Sequence, residues 1–220
     1  MTLALAEPTI LLSGFEPFDG EAVNPSWEVA RALHGTTVGD ARVEALCLPC
    51  AFAHALPVLR QALRRQRPAV TLALGLAGSR SAVSVERVAI NLMDARIADN
   101  AGRQPLDEPV QPGGRAAWFS SLPVKAIVQD IGRAGIAAEL SFSAGSFVCN
   151  QVFYGLMAAA ARRAGMRAGF IHLPPLPSQA ARHPGSKPMP LDEQVEAVRI
   201  ALAVARSAAT DARIRGGRED

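Results

Sequence analysis

Cys149 has the setting most suited to chemistry in this 220-residue chain. It follows the small-residue turn Ser143-Ala144-Gly145-Ser146 and falls in the first turn of an apolar-periodic helix. Unsatisfied N–H groups at a helix start favour an anion, and that placement can bring a thiol pKa from about 8.5 to about 3.5–7.5. A free cysteine is otherwise a small buried apolar filler, so it needs a partner to become a nucleophile. His172 ends an apolar strand, where a side chain reaches the loop edge of a sheet. A thiol and an imidazole converging from separate elements make a nucleophile and its base. A third group must orient the imidazole. Glu86 lies inside an alternating apolar segment, where a carboxylate is costly unless paired. Asp94 and Asp99, from the loop that follows, compete for the same role.

Other residues carry weaker signals. Cys47-Leu48-Pro49-Cys50 has redox spacing, yet no second ligand pair accompanies it for a metal, and one of its cysteines falls inside a strand. His34 and His54 on helices, and His183 in a Pro/Gly loop, read as surface residues. Aromatics make up only 5% of the chain, so their positions matter. Phe15 and Phe18 fall in a loop, and Phe147 stands two residues before Cys149. A flat, uncharged ring between them would be held by stacking, with Asn24 offering both a donor and an acceptor.

The elements that must position these groups alternate between strand and helix. Thr9–Ser13 reads as a buried strand closed by Gly14, and Asn24-Pro25-Ser26 as a helix start. A strand over Arg42–Leu48 precedes a helix over Ala51–Gln66, in which Pro57 should bend the first turns. Ala69–Leu74 is a third strand ending at Gly75, and Val83–Leu92 holds a further strand pair. Asp94 to Gly114 is a long polar loop, of a length that is usually functional. Helices over Val124–Arg133, Phe147–Arg163 and Leu191–Ala205 and strands over Ala137–Phe142 and Ala168–His172 complete the pattern. That alternation predicts a single α/β domain over residues 1–220, with a largely parallel sheet covered by helices. The ordered core should span about residues 9–206, followed by a basic polar tail carrying Arg213, Arg215 and Arg218. In such sheets ligands bind where strands hand over to loops, and Cys149 and His172 both sit at handovers.

Composition excludes several classes. The net charge of +3 is local to the tail and to Arg64, Arg65 and Arg67 at a helix end, and no basic stripe interleaved with aromatics suggests nucleic-acid binding. No stretch approaches the roughly 20 apolar residues of a membrane span. Met1 to Pro8 has no Lys or Arg and makes a poor signal peptide, and three cysteines suit a reducing compartment. The expectation is a cytoplasmic protein.

Four segments read together resemble the pyroglutamyl peptidase type I family of cysteine peptidases. They are GFEPFDGEAVNPSWEVA from Gly14, GLAGSRSAVSVERVAINLMDARIADNAG from Gly75, SAGSFVCNQVFYGLM from Ser143 and GFIHLPPLP from Gly169. The resemblance runs from Ile10 to about Ala205 and implies a three-layer α/β/α sandwich of the phosphorylase/hydrolase type. It implies the catalytic trio Glu86, Cys149 and His172, with a pocket built from Phe15, Phe18, Asn24, Leu76, Arg96, Ile97, Phe147 and Val148. It further implies peptide substrates with N-terminal pyroglutamate, cleavage through a thioester, no cofactor or metal, and assembly as a homotetramer. Ser79 stands where many members have Gly, Leu76 where some have Gln, and Cys50 where Thr or Val is frequent. Two rivals differ in class: a nucleoside phosphorylase or hydrolase on a similar sheet, and a redox-switched binding protein using Cys47 and Cys50.

Overall fold

The computed structural model describes residues 8–217. The chain begins with β1 (Thr9–Phe15), a run of buried residues, and α1 (Pro25–Leu33). Asn24 caps α1 by accepting the Ser26 N–H on Oδ1, and Pro25 fills a first-turn position whose N–H would be unpaired anyway. A short β2 (Thr37–Val38) turns into β3 (Ala41–Leu48), followed by α2 (Ala55–Gln66) and β4 (Val70–Leu76). Next come β5 (Val83–Glu86), β6 (Val88–Ile90), β7 (Ala117–Phe119), α3 (Val124–Arg133) and β8 (Ala138–Ser141). The chain closes with α4 (Val148–Ala160), β9 (Arg167–Leu173), a 3-10 turn over Pro177–Arg182 and α5 (Leu191–Ser207).

Seven strands form one sheet in the order β2-β3-β1-β4-β9-β5-β8. The pairs β1–β3, β1–β4, β4–β9 and β5–β8 are parallel, while β2–β3 and β5–β9 are antiparallel. One apolar cluster lies between the sheet and α1, α3 and α5; the other lies under α2, α4 and the β6–β7 ribbon. This is the expected three-layer α/β/α sandwich, with two antiparallel steps in an otherwise parallel sheet. Among the described residues no helix is long and apolar enough to cross a membrane.

Several boundaries differ from expectation for identifiable reasons. β1 continues two residues past Ser13 because Gly14 is not a strand stop. A Cβ on Gly14 would stand 2.2 Å from the Ser26 carbonyl oxygen, so the glycine lets α1 approach the strand. α2 starts at Ala55 rather than Ala51, because residues 52–54 form a turn and the Phe52 N–H donates to Asp99 Oδ2 at 2.7 Å. β7 lies in a stretch with no strand periodicity and was not expected. α3 starts at Val124 without a side-chain cap of its own. Asp211, in the segment after α5, supplies the cap by accepting the Lys125 and Ala126 N–H groups on Oδ1 at 2.9 and 3.0 Å.

Candidate active site

The C-terminal ends of β4 and β9 lie side by side, with Gly75 opposite His172 in register. α4 begins above them, and Cys149 is its second residue. A Cβ built on Gly75 would stand 2.8 Å from Cys149 Sγ and 3.2 Å from His172 Cδ2. The sulfur and the Nε2-bearing edge of the imidazole therefore face one point, which only the missing side chain leaves open. The other ring nitrogen, His172 Nδ1, lies 2.8 Å from Glu86 Oε1. Glu86 ends β5 and is fully buried, and its Oε2 has no hydrogen-bond partner among the described residues. The Phe170 ring packs on the imidazole with centroids 4.8 Å apart. Pairing with Glu86 and stacking on Phe170 hold the ring's orientation.

Cys149 is half-buried and reaches a cavity of about 480 Å³. The cavity is lined by Phe18, Leu76, Arg96, Ile97, Phe147 and His172, among others. Phe18 and Phe147 make one wall, with centroids 6.1 Å apart and planes 33° apart, and Phe52 braces Phe147 edge-on at 5.2 Å. Phe15, Asn24 and Val148 do not line it. Phe15 ends β1 and is buried in the core, not held in a loop as expected. Asn24 is occupied as the α1 cap: Oδ1 accepts from Ser26 N and Oγ, and Nδ2 donates to the Glu16 carbonyl. Val148 opens α4 and is fully buried in the apolar cluster under α2 and α4.

Of the two competitors for the imidazole, Asp99 has its carboxylate engaged elsewhere, and His172 Nδ1 is taken by Glu86. Asp99 accepts from the backbone N–H groups of Phe52, Ala101 and Arg103. Asp94 lines the cavity, and its backbone is tied to the turn before Cys149 through Ser146. Arg80, at the rim, donates to Glu139 Oε1 at 2.8 Å, Ser141 Oγ at 3.0 Å and the Ser143 carbonyl at 3.2 Å. Its guanidinium lies 4.0 Å from Glu86 Oε1. One side chain thus links the imidazole's carboxylate to the turn that leads into α4. Asn150 braces the chain behind the sulfur, exchanging hydrogen bonds with Ile90 N and O and with Leu92 O. Neither Arg80 nor Asn150 was singled out from the sequence; a polar residue directly after the nucleophile was the available signal.

The thiol's electrostatics set burial against the helix end that was expected to stabilise a thiolate. Burial pushes the Cys149 thiol well above its ordinary range; Cys50 and Glu86 add to the rise, and the Cys149 backbone N–H pulls it only partly back. The helix start is present, but desolvation outweighs it. Burial likewise holds Cys50 up at about 12 and raises Cys47, with Glu16 contributing to both. All three cysteines are free, and among the described residues no cluster of His, Cys, Asp and Glu could hold a metal ion. His34 and His54 are exposed as expected, whereas His183 is half-buried. Its Nε2 meets Glu21 Oε1 at 3.0 Å, because the loop after β9 packs down on Gly78 and the first loop.

A thiol and a carboxylate-backed imidazole, opening on one cavity at the strand ends of an α/β/α sandwich, define the class: a hydrolase of the cysteine type. Comparison with known proteins makes that particular. The family model for pyroglutamyl peptidase matches residues 8–208. A pyrrolidone-carboxylate peptidase of Cupriavidus pinatubonensis is 54% identical over 211 residues, covering 95% of this chain and 98% of the relative. One of Chromobacterium violaceum is 54% identical over 209 residues, covering 95% and 98%. The crystal structure of pyroglutamyl peptidase I from Bacillus amyloliquefaciens superposes with a TM-score of 0.92 at 42% identity, covering 95% of this chain and all of that one. A mutant pyrrolidone carboxyl peptidase of Pyrococcus furiosus gives 0.88 at 39% identity, covering 91% and 99%. The chain belongs to the pyroglutamyl peptidase family, and it is a cysteine peptidase that removes N-terminal pyroglutamyl residues.

Proposed function

We propose that Cys149 is the nucleophile, His172 the base and acid, and Glu86 the group that orients the imidazole. The observation that carries this is the meeting of sulfur and imidazole edge at Gly75, with Glu86 on the far nitrogen. Since burial favours the neutral thiol, the proton passes to His172 as the sulfur attacks the carbonyl that joins pyroglutamate to the next residue. His172 then gives that proton to the leaving amine, which departs as the new N-terminus of the peptide. A water, deprotonated by His172, hydrolyses the thioester, releasing pyroglutamate and restoring the thiol. The Cys149 N–H, in the uncapped first turn of α4, faces the developing oxyanion, and Arg96 at the rim assists it.

The lactam ring sits against Phe18 and Phe147, with Leu76 and Ile97 completing an apolar seat. A free N-terminal ammonium would lose its hydration against the aromatic wall, and the one carboxylate lining the cavity, Asp94, is not part of that wall, so glutamyl and glutaminyl peptides are disfavoured. Phe15, Asn24 and Val148 act from behind, fixing the walls. The enzyme works in the cytoplasm as a homotetramer; free cysteines support the reducing compartment, and Leu106 and Phe119, 77% and 67% exposed, support a covered surface. Nucleic acid and membranes are not among its partners. Replacing Cys149 with Ala should abolish release of coumarin from a pyroglutamyl-coumarin substrate while the melting temperature stays close to that of the parent. Retained turnover would overturn the assignment.

A further inference from the structure

We propose that the cleft between the C-terminal ends of α2 and α4 binds a chain of phosphates, either bare or carried by a nucleoside. The cleft has a volume of about 590 Å³ and is lined by Arg60, Arg64, Arg162 and Arg163 over a floor that includes Leu63 and Met166. Among the described residues no carboxylate lines it. Arginines at helix ends ordinarily answer the helix dipole, and magnitudes decide whether that suffices here. Each helix C-terminus carries about −0.5 of an elementary charge, so the two ends together present about −1. Four guanidiniums exceed that by about three charges.

The hydrogen bonds divide the four in the same way. Arg163 holds the fold together: NH1 and NH2 both donate to the Leu63 carbonyl at 3.0 Å, closing the end of α2. Arg60, Arg64 and Arg162 donate to no acceptor among the described residues and are exposed. Three unanswered guanidiniums facing one concavity repel each other, and a multivalent anion with closely spaced oxygens relieves that. A phosphate chain matches both the charge and the planar, paired donors. An adjoining hollow of about 390 Å³ shares Arg162 and Ala158 with the cleft and adds Trp118, over whose ring the Arg115 guanidinium lies at 4.6 Å. With that ring face covered, it is the Arg115 guanidinium plane in the same hollow on which the base of an attached nucleoside would stack. The site lies apart from the chemistry, since α4 carries the chain roughly 16 Å from Cys149 to its other end.

The test is calorimetric titration of the whole chain with inorganic tripolyphosphate and, separately, with ATP, at low and raised salt. One site should appear for tripolyphosphate, weakening as salt rises. The double variant Arg64→Gln/Arg162→Gln should bind at least about tenfold more weakly, while its turnover of a pyroglutamyl-coumarin substrate stays unchanged. Tighter binding of ATP than of tripolyphosphate would place the base on the Trp118 side; equal binding would leave the phosphates as the whole ligand. Absence of binding by the parent chain, equal binding by the variant, or an equal response to sulfate at matched ionic strength would each overturn the proposal.

Discussion

Gly75→Ala is the smallest change that tests the geometry of the site. Gly75 lies inside β4, opposite His172, with ordinary strand conformation, so an alanine meets no backbone penalty there. Its methyl does meet neighbours: Cys149 Sγ at 2.8 Å, Phe170 Cζ at 2.9 Å and His172 Cδ2 at 3.2 Å. Comfortable non-bonded contacts lie at about 3.5–4.0 Å, so the sulfur, the ring edge or both must retreat by roughly 1 Å. Such overpacking costs about 1–3 kcal/mol of stability, which a domain of this size registers as a modest fall in melting temperature. Catalysis should suffer more. A misplacement of about 1 Å can cost on the order of 100-fold, or about 2.7 kcal/mol in the barrier. The Phe18–Phe147 wall is not among the three contacts, so KM should change little while kcat falls. The assay is steady-state hydrolysis of pyroglutamyl-coumarin, with thermal melting of the same preparation as the control for folding. A folded variant with kcat within about threefold of the parent would refute the convergence of sulfur and imidazole at that point.

Other outcomes follow from the same structure. Glu86→Gln keeps the shape but removes the charge behind His172 Nδ1, and kcat should fall by about 10³- to 10⁴-fold, read with the same substrate. Asp211→Ala uncaps α3 and should lower stability by about 1 kcal/mol in denaturant titration, leaving kcat unchanged. Glu21 is raised by burial but lowered more by its bonds to Gln179 and Arg182, so its folded pKa is depressed. Its stabilising effect is therefore complete above the unfolded carboxylate range and lost as pH falls through the lower folded value. Melting temperatures followed downward from pH 6 should drop more steeply for the parent than for Glu21→Gln, and identical slopes would remove Glu21 from the account.

The fold was legible where burial wrote itself into composition: apolar runs gave the strands, and α3 matched its expected bounds. That Cys149 and His172 should approach one another was legible for a related reason, because a thiol and an imidazole are each idle unless they meet; Glu86 stood level with Asp94 and Asp99 until the family resemblance separated them. What escaped was whatever depends on a partner distant in sequence. Gly14 and Gly75 read as strand ends, yet each stands inside a strand and serves a neighbour: Gly14 the Ser26 carbonyl, Gly75 the Cys149 sulfur. A glycine's local meaning is a break, whereas its tertiary meaning is an approach, and sequence shows only the first. Asn24 failed similarly, since an amide able to hold a ligand is equally able to cap a helix, and the cap lay two residues away. The opposing pull on the thiol was not legible, because a helix start is visible in sequence and the desolvation around a half-buried sulfur is not. Burial raises the Cys149 thiol, so in the proposed mechanism the imidazole takes the proton as the sulfur attacks, and the Glu86–His172 contact bears on that step as well as on the orientation of the ring.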